Sequence, residues 1–395
     1  MTRPLHLAVA LDGAGWHPAA WRLPTARPHD LLTAGYWVDL ARRAEEGLLD
    51  LVTFEDALAL QSSSVEGPDH RTDEVRGRLD AVLVAARVAP VTAHVGLVPT
   101  GTVTHTEPFH LAKAIATLDH VSQGRAGWRP QVSAGAAEVG HVGRRPSWTD
   151  PRGDSPEARQ TLLDLFEEAA DAVEVVRRLW DSWEDDAEIR DAATGRFVDR
   201  DKLHYVDFEG RFFSVRGPSI TPRPPQGQPV VVALAHAEVP RAFAARSADV
   251  VLITPADNAS AAAQVAEITG ARAEAGRTGP DHVFGELVVL LDDDETRAAD
   301  RWAQLEAWSG REHASDAEVF VGTPLGLADL LLARAEVGLT GFRLRPAALP
   351  QDLDAIVAGL VPELQRRGVF RTAYEPGTLR DRLGLERPAN RYATN

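Results

Sequence analysis

The sequence predicts an α/β fold, namely a (β/α)8 TIM barrel with an insertion between its fourth and fifth strands. Short apolar segments alternate with amphipathic helical patterns along nearly all of the 395 residues. Eight apolar segments have the length and flanking turn residues of strands, and helical patterns fill most of the gaps between them. This alternation favours a parallel barrel over an open sheet. The length also fits, because such barrels run from about 200 to more than about 400 residues with insertions.

The spacing of apolar residues places the elements in order. Strands are predicted at 5–10, 49–54, 94–99, 125–132, 230–235, 249–253, 284–291 and 341–345. Helices are predicted at 31–47, 162–183, 259–275 and 325–337. Residues 108–133 show the pattern most clearly, since Leu111, Ile115 and Leu118 share one helical face and a strand follows. Pro108 suits the first turn of that helix, and Gly124 suits its end.

The longest departure from this rhythm lies at about residues 184–229. It contains the run HYVDFEGRFFSV, which reads as a small hairpin around Glu209 and Gly210. A proline-rich segment that cannot form a helix then leads into the fifth strand. The sequence shows neither an internal repeat nor a linker. We therefore expect residues 1–395 to form one domain.

Composition excludes several classes of function. A formal net charge of −16 argues against a nucleic-acid or anionic-membrane partner, since those partners need a basic face. No apolar run approaches the roughly 18 residues that span a membrane, and the first residues read as a strand rather than a signal peptide. The absence of cysteine excludes disulfides, thiolate metal sites and cysteine nucleophiles. These features fit a cytoplasmic protein.

Common catalytic motifs are missing from the sequence. It contains neither GxxxxGK[ST] nor GxGxxG, so no standard phosphate-binding loop is predicted. The 13 histidines form no HExxH pattern, and no GxSxG elbow occurs. The acidic run at 292–295 lacks calcium-loop spacing and suits the start of a helix. Metal-dependent and serine-type hydrolysis are unsupported, and no metal site is predicted.

Polar residues follow two predicted strands at the end where barrel active sites are built. Glu55 and Asp56 come directly after the second strand, and Thr100, Thr102 and Thr104 close the third. Such side chains can hydrogen-bond the polar edge of a flat ligand that rests on apolar residues. They can equally be turn and helix-capping residues. The residues alone leave both interpretations open.

Several blocks of the chain carry a more specific signal. The run PFHLAKAIATLDHVSQGRAGWRPQVS at 108–133 resembles the signature of the luciferase-like flavin-dependent monooxygenases, in the branch of the nitrilotriacetate and dibenzothiophene-sulfone enzymes. Similar blocks occur in order at 180–187, 212–218, 222–230, 321–324, 341–346 and 361–384. The resemblance implies a barrel that uses FMN, reduced by a separate NAD(P)H-dependent reductase, with O2 and a small organic substrate. It also implies a homodimer or homotetramer.

The resemblance divides the expected cofactor site into two parts. Asp56 and Thr102 match the family's positions beside the isoalloxazine ring, whereas Arg129 replaces an asparagine of the fourth strand. The cofactor-binding positions so implied are Asp56, Thr102, Arg129, Ser133 and Ala237. Three positions that help hold the flavin phosphate are apolar here: Leu162 and Phe166 replace a histidine and a tyrosine, and Ala237 replaces a serine. Losing such donors weakens phosphate binding.

Other residues on the same strand ends and loops offer replacement donors: Arg129, His141, Arg144, Arg145, Arg152 and His236. No catalytic residue is assigned; Glu55 and His110 are candidate bases, and a structural role is the favoured explanation for each. One alternative is an oxidoreductase that uses the deazaflavin F420, whose longer phosphodiester tail tolerates a changed phosphate site. The other is a cofactor-free barrel that serves as a binding or assembly subunit. Apolar faces on helices near 31–47 and 79–89 would suit a dimer.

Overall fold

The computed structural model describes residues 4–62, 69–145, 148–277, 279 and 281–393. Eight parallel strands close into a barrel, because the first strand pairs with both the second and the last. They are β1 (His6–Leu11), β2 (Leu51–Phe54), β3 (Gly96–Thr102), β4 (Gly127–Gln131), β5 (Val230–Leu234), β6 (Val250–Ile253), β7 (His282–Leu291) and β8 (Gly341–Pro346). The predicted barrel is confirmed, and each predicted strand overlaps an observed one.

Helices cover the outside of the barrel and link successive strands. They are α1 (Ala34–Glu46), α2 (Ala81–Val88), α3 (Pro108–Val121), α4 (Ala136–Val142), α5 (Pro156–Asp181), α6 (Glu238–Ser247), α7 (Asn258–Glu274), α8 (Glu295–Ser309) and α9 (Pro324–Glu336). After β8 come α10 (Gln351–Ala355), a π-helical turn (Ile356–Leu360), α11 (Val361–Arg366) and α12 (Leu379–Arg382). Short 3-10 turns occupy Ala20–Arg22, Pro28–Asp30, Ala89–Val91 and Arg200–Lys202. Among the described residues, no helix combines the length and the apolar character needed to cross a membrane.

The longest helix begins earlier than its apolar periodicity indicates. A start at 162 was predicted, but α5 begins at Pro156. Ser155 caps it, since its hydroxyl accepts a hydrogen bond from the backbone N–H of Ala158 at 3.0 Å, and proline suits the first turn. The first turn is polar, so a pattern of buried residues could not reveal it. The predicted start was therefore wrong by about a turn and a half.

The insertion and one gap between strands carry further β structure. Phe208–Glu209 pairs antiparallel with Ser214–Val215, which confirms the predicted hairpin. A second antiparallel pair joins Glu188–Asp191 to Arg196–Val198. The strand Glu318–Gly322 pairs in parallel with the second half of β7, outside the barrel. The last two features were not predicted, because their apolar runs are short.

The two ends of the barrel differ in character. Apolar side chains fill the interior near the amino ends of the strands, among them Leu51, Val98 and Phe284. Leu379 and Leu383, from α12 and the residue after it, belong to the same apolar cluster. The amide N–H of Leu379 donates to the carbonyl of Gly124, shortly before β4, so this segment closes the amino end. The polar end is therefore the carboxyl end of the strands.

Candidate functional site

The predicted site residues lie at the carboxyl end of the strands and on the loops that follow, which we call the barrel mouth. Asp56 lies two residues after β2, and Thr102 is the last residue of β3. Arg129 lies within β4, and Ser133 follows that strand. Ala237 immediately precedes α6. Because parallel strands end at one rim, the fold brings these five positions to the same end of the barrel.

The carboxylate of Asp56 is held by two backbone donors. It accepts hydrogen bonds from the N–H of Ala57 at 2.8 Å and from the N–H of Ala81, the first residue of α2, at 2.9 Å. Burial raises the pKa of Asp56, and the two backbone donors oppose that rise. The interpretation of Asp56 as a turn and capping residue thus has a structural basis. Its predicted contact with a flavin ring stays a prediction.

Arg129 is buried below the mouth and is already bonded within the protein. Its guanidinium donates to the hydroxyl of Thr100 at 3.1 Å and contacts the carboxylate of Glu55. Burial raises the pKa of Glu55, but the charges of Arg129 and Arg343 outweigh it and leave the pKa below its usual value. Glu55 is therefore ionised at neutral pH. Its occupied oxygens favour a structural role over that of a base.

Arg343 and Glu286 extend this contact into a cluster inside the barrel. Arg343 contacts both Glu55 and Glu286, and its Nε–H donates to the hydroxyl of Thr53 at 2.8 Å. Arg345 donates to the other oxygen of Glu286 at 2.5 Å. Against the effect of burial, the two arginines lower the pKa of Glu286 to about 2. We call Glu55, Arg129, Glu286, Arg343 and Arg345 the interior ion cluster.

A group of aromatic rings lies beside the interior ion cluster, and it was not predicted from the sequence. The indole of Trp16 lies over the guanidinium groups of Arg343 and Arg345, at 5.9 and 5.7 Å from its centroid. The neighbouring ring of His17 contacts His313, with centroids 5.1 Å apart. Burial, and then the nearby imidazole of His313, lower the pKa of His17 to about 4. This ring is therefore neutral at physiological pH.

Two buried side chains on neighbouring loops carry unpaired polar atoms. The backbone N–H of Ser133 donates to the hydroxyl of Thr104 at 2.9 Å, which ties the loop after β4 to the loop after β3. Ser133 is 1% exposed and His105 is 7% exposed. The hydroxyl of Ser133 and both ring nitrogens of His105 find no hydrogen-bond partner in the part of the chain that the structure describes. Buried polar atoms are normally hydrogen-bonded, so these three atoms lack the partners that folded proteins usually provide.

The side expected to hold a phosphate offers no side-chain donors at its three predicted positions. Leu162 and Phe166 lie on α5, and the ring of Phe166 packs against that of Phe243 with centroids 5.7 Å apart. Ala237 is the N-cap residue of α6, and no side chain forms a capping hydrogen bond with this helix start. The next residue, Glu238, is acidic and exposed. Only backbone N–H groups could serve a phosphate at Ala237.

Two of the proposed replacement arginines are already paired with carboxylates. Arg144 donates to Glu107 at 2.5 Å. Arg145 contacts Glu168 on α5 and also donates to the carbonyl of Thr104 at 3.1 Å. These pairs join the loop after α4 to the start of α3 and to α5. A ligand bound by either arginine would share its guanidinium with these partners or replace them.

The remaining candidates lie on the surface. Arg152 donates to its neighbour Asp150 at 2.9 Å. His141 on α4 and His236 before α6 are exposed, and so is His110 on the first turn of α3. The structure thus places them around the rim of the mouth. Whether any of them contacts a ligand stays a prediction.

The residues present fit one half of a flavin better than the other. At the ring side, Thr102 lies at the end of β3, where the resemblance places the isoalloxazine ring. At the phosphate side, Leu162, Phe166 and Ala237 supply no side-chain hydrogen bond. A ring with hydrogen-bonding edges therefore fits this mouth. A phosphate does not fit at those three positions.

This chain matches a family model over most of its length and several known proteins over nearly all of it. A model of the luciferase-like monooxygenase family matches residues 16–328. Nitrilotriacetate monooxygenase component A of Aminobacter aminovorans is 31% identical over 458 aligned residues, covering 99% of this chain and 98% of that protein. One of the subunits of the pristinamycin IIA synthase of Streptomyces pristinaespiralis is 31% identical over 393 aligned residues. The alignment covers 100% of this chain and 99% of that subunit. A riboflavin lyase solved with modified FMN and its substrate riboflavin has a TM-score of 0.85 at 26% identity, covering 98% of both chains.

Proposed function

The chain belongs to the luciferase-like monooxygenase family and is a flavin-dependent monooxygenase, and we propose that it is the oxygenase component of a two-component system. In this proposal it uses reduced FMN and O2 to oxidise a small organic substrate. The observation that carries the proposal is its similarity, over 99% of the chain, to a relative named as component A of a monooxygenase. When bound, the reduced flavin would supply the activation of oxygen. The protein would bind and orient both reactants and exclude water.

In this proposal five residues of the mouth contact or support the flavin. Thr102 and Asp56 lie beside the ring, and Arg129 supports the ring site from below through its bonds to Glu55 and Thr100. Ser133 offers a hydroxyl that has no partner among the described residues, and Ala237 offers the backbone N–H groups at the start of α6. The proposal predicts that these positions change flavin binding when substituted. It assigns no catalytic base.

The system also needs partners. We propose a separate NAD(P)H-dependent flavin reductase as the source of reduced FMN, and the cytoplasm as the compartment, which fits a chain without cysteine. We further propose a homodimer or homotetramer. Leu32 and Leu83 are 63% and 69% exposed and line an apolar groove of about 320 Å³ on the outer face of α1 and α2. Exposed apolar surface of this kind suits contact with a second copy.

The test is a titration of the purified protein with FMN, with riboflavin titrated in parallel and flavin fluorescence as the readout. Tighter binding of FMN than of riboflavin would support a bound phosphate and the proposed cofactor. Equal binding of the two would leave the ring site in place but contradict a phosphate site. No binding of either flavin would contradict the cofactor proposal.

A second candidate is supported by the phosphate-side residues. Leu162, Phe166 and Ala237 suit a chain that works beside a homologous, flavin-binding chain in a mixed assembly. Two relatives are named as different subunits of one synthase, and the similarity to one of them over 100% of this chain favours the same arrangement. If so, the isolated chain would bind neither flavin, and flavin binding would appear only after a homologous chain is added.

A further inference from the structure

His105 and Ser133 form a pair of buried polar side chains without partners among the residues that the structure describes. Within those residues, both ring nitrogens of His105 and the hydroxyl of Ser133 are inaccessible to solvent and unpaired. Most buried polar atoms in proteins are hydrogen-bonded, because leaving them unpaired is costly. Three such atoms on two adjacent loops indicate a site prepared for a ligand that accepts or donates hydrogen bonds.

The loops that carry the pair are fixed relative to one another. Thr102 pairs in register with Gln131 at the ends of β3 and β4. Two residues further on, the hydroxyl of Thr104 accepts from the N–H of Ser133 at 2.9 Å. His105 directly follows Thr104. The two unpaired side chains therefore extend from neighbouring positions just beyond the strand ends.

The pair also lies toward α5. Arg145 bridges the carbonyl of Thr104 at 3.1 Å and the carboxylate of Glu168 on α5. Phe166, at one of the positions where the family holds its phosphate, lies two residues before Glu168 on the same helix. The contact through Arg145 thus joins the His105 loop to the turn of α5 that carries Phe166, while Phe166 itself faces α6.

The charges that act on the His105 ring are mainly positive. Burial, and then the guanidinium of Arg145, lower the pKa of His105; Glu138 opposes this and Arg144 adds to it. A neutral imidazole can donate from one nitrogen. The positive field that disfavours its protonation also favours an anion beside it.

We propose that His105 and Ser133 hold the phosphate of the flavin and replace the donors lost at Leu162, Phe166 and Ala237. This inference rests on the proposed function, since it names the phosphate ligands of the same cofactor. The spacing agrees with it: from Thr102, expected beside the ring, His105 is three residues further along the chain, a span of at most about 10 Å. The ribityl chain that joins ring and phosphate covers a comparable distance.

The test measures the preference for FMN over riboflavin in variants of the full chain. His105→Phe keeps a ring of similar shape but removes both nitrogens, and Ser133→Ala removes the hydroxyl. Each variant is expected to weaken FMN binding by about tenfold to a hundredfold and to leave riboflavin binding unchanged, since each removes one bond to a charged group. The matched control is His94→Phe, an exposed histidine two residues before β3 at the amino end of the barrel, which should keep the preference.

A second readout follows the phosphate itself. The phosphorus-31 resonance of bound FMN should move in Ser133→Ala relative to the unchanged protein. His105→Gln, which keeps one donor, should restore part of the preference for FMN that is lost in His105→Phe.

Circular dichroism of each variant checks that it is folded. If the folded His105→Phe and Ser133→Ala proteins keep the full preference, the pair binds only ordered water and the inference is wrong. If the unchanged protein shows no preference, the phosphate site is wrong while ring binding stands; if it binds neither flavin, both this inference and the cofactor proposal are wrong.

Discussion

Arg343 and Glu286 form an ion pair inside the barrel, where each side chain is only 1% exposed. The pair does not stand alone, because the same guanidinium also contacts Glu55 below the mouth. Removing one member of a buried ion pair leaves its partner charged and desolvated, which costs far more than the loss of a surface pair. Removing one member of the interior ion cluster should therefore destabilise the barrel more than breaking a surface pair.

The first prediction concerns Arg343→Met. This change leaves Glu55 and Glu286 short of a cationic partner, so we expect the free energy of unfolding to fall by about 3–5 kcal/mol. Urea unfolding followed by tryptophan fluorescence measures the loss. The control is Arg211→Met, which breaks an exposed pair with Asp164 and should cost less than about 1 kcal/mol. Similar losses in the two variants would contradict a special role for the cluster.

The second prediction concerns acid and His17. The folded protein holds the pKa of His17 at about 4, below its ordinary value of 6.5, so the unfolded chain takes up the proton first as the pH falls. The contribution of His17 to the free energy of unfolding is fully present above pH 6.5 and is lost as the pH falls toward 4. Between pH 7 and pH 5 the loss should be about 2 kcal/mol. In His17→Gln, urea unfolding at the two pH values should show a correspondingly smaller decrease; an unchanged decrease would assign it to other groups.

The third prediction restores a donor at the mouth. Ala237→Ser adds a hydroxyl at the start of α6, at the position where the family has a serine. If the flavin phosphate lies near Ala237, the affinity for FMN relative to riboflavin should rise by about tenfold. The control is Ala242→Ser, at an exposed position of the same helix. It should change neither the affinity for FMN nor the ratio of the FMN and riboflavin affinities.

The new serine also acts as an N-cap with a side-chain acceptor, which α6 lacks. The melting temperature of Ala237→Ser should therefore rise whether or not flavin is present. A higher melting temperature without a change in flavin preference would mean that the phosphate lies elsewhere, while an unchanged melting temperature would show that the hydroxyl does not cap the helix.

The fourth prediction concerns the apolar groove on α1 and α2. Leu83→Asp places a charge among the apolar residues of the groove, so a dimer that buries this face should dissociate. Light scattering after size-exclusion chromatography gives the mass. Leu325→Asp, at a comparably exposed leucine on α9, is the control and should keep the mass of the unchanged protein. If both variants keep that mass, the groove is not the contact between copies.

The sequence predicted the barrel because its strands are apolar runs of the right length, and burial on both faces leaves that pattern intact. It did not predict the interior ion cluster. Arg343 and Arg345 alternate with Phe342 and Leu344, so they share one strand face, but an isolated sequence does not show that this face points inward. Only the contact with Glu286 on the neighbouring strand, far away along the chain, reveals it.

For a similar reason, the sequence predicted some residues of the candidate site and missed others. Asp56 follows β2 and Thr102 ends β3, so the sequence places both at the barrel mouth, whereas their assignment to the flavin ring comes from the family resemblance and stays a prediction. His105 lies in a loop between Thr104 and the start of α3, and nothing in the sequence distinguishes it from an exposed histidine such as His110. Arg145, which lowers the pKa of His105, reaches the neighbouring Thr104 and Glu168 of α5 only after the chain has folded. Side chains whose environment is built from several elements escape this kind of prediction.

The pairing of β1 with β8 has a consequence for how the protein is made. On the ribosome, β1 emerges early, and its outer edge stays without a partner until residues 341–346 have been synthesised. Strand edges left open in this way pair readily with other chains. The nascent protein should therefore depend on a chaperone that shields the first strands during translation. Slow synthesis of the second half would lengthen that exposure and favour aggregation before the barrel closes.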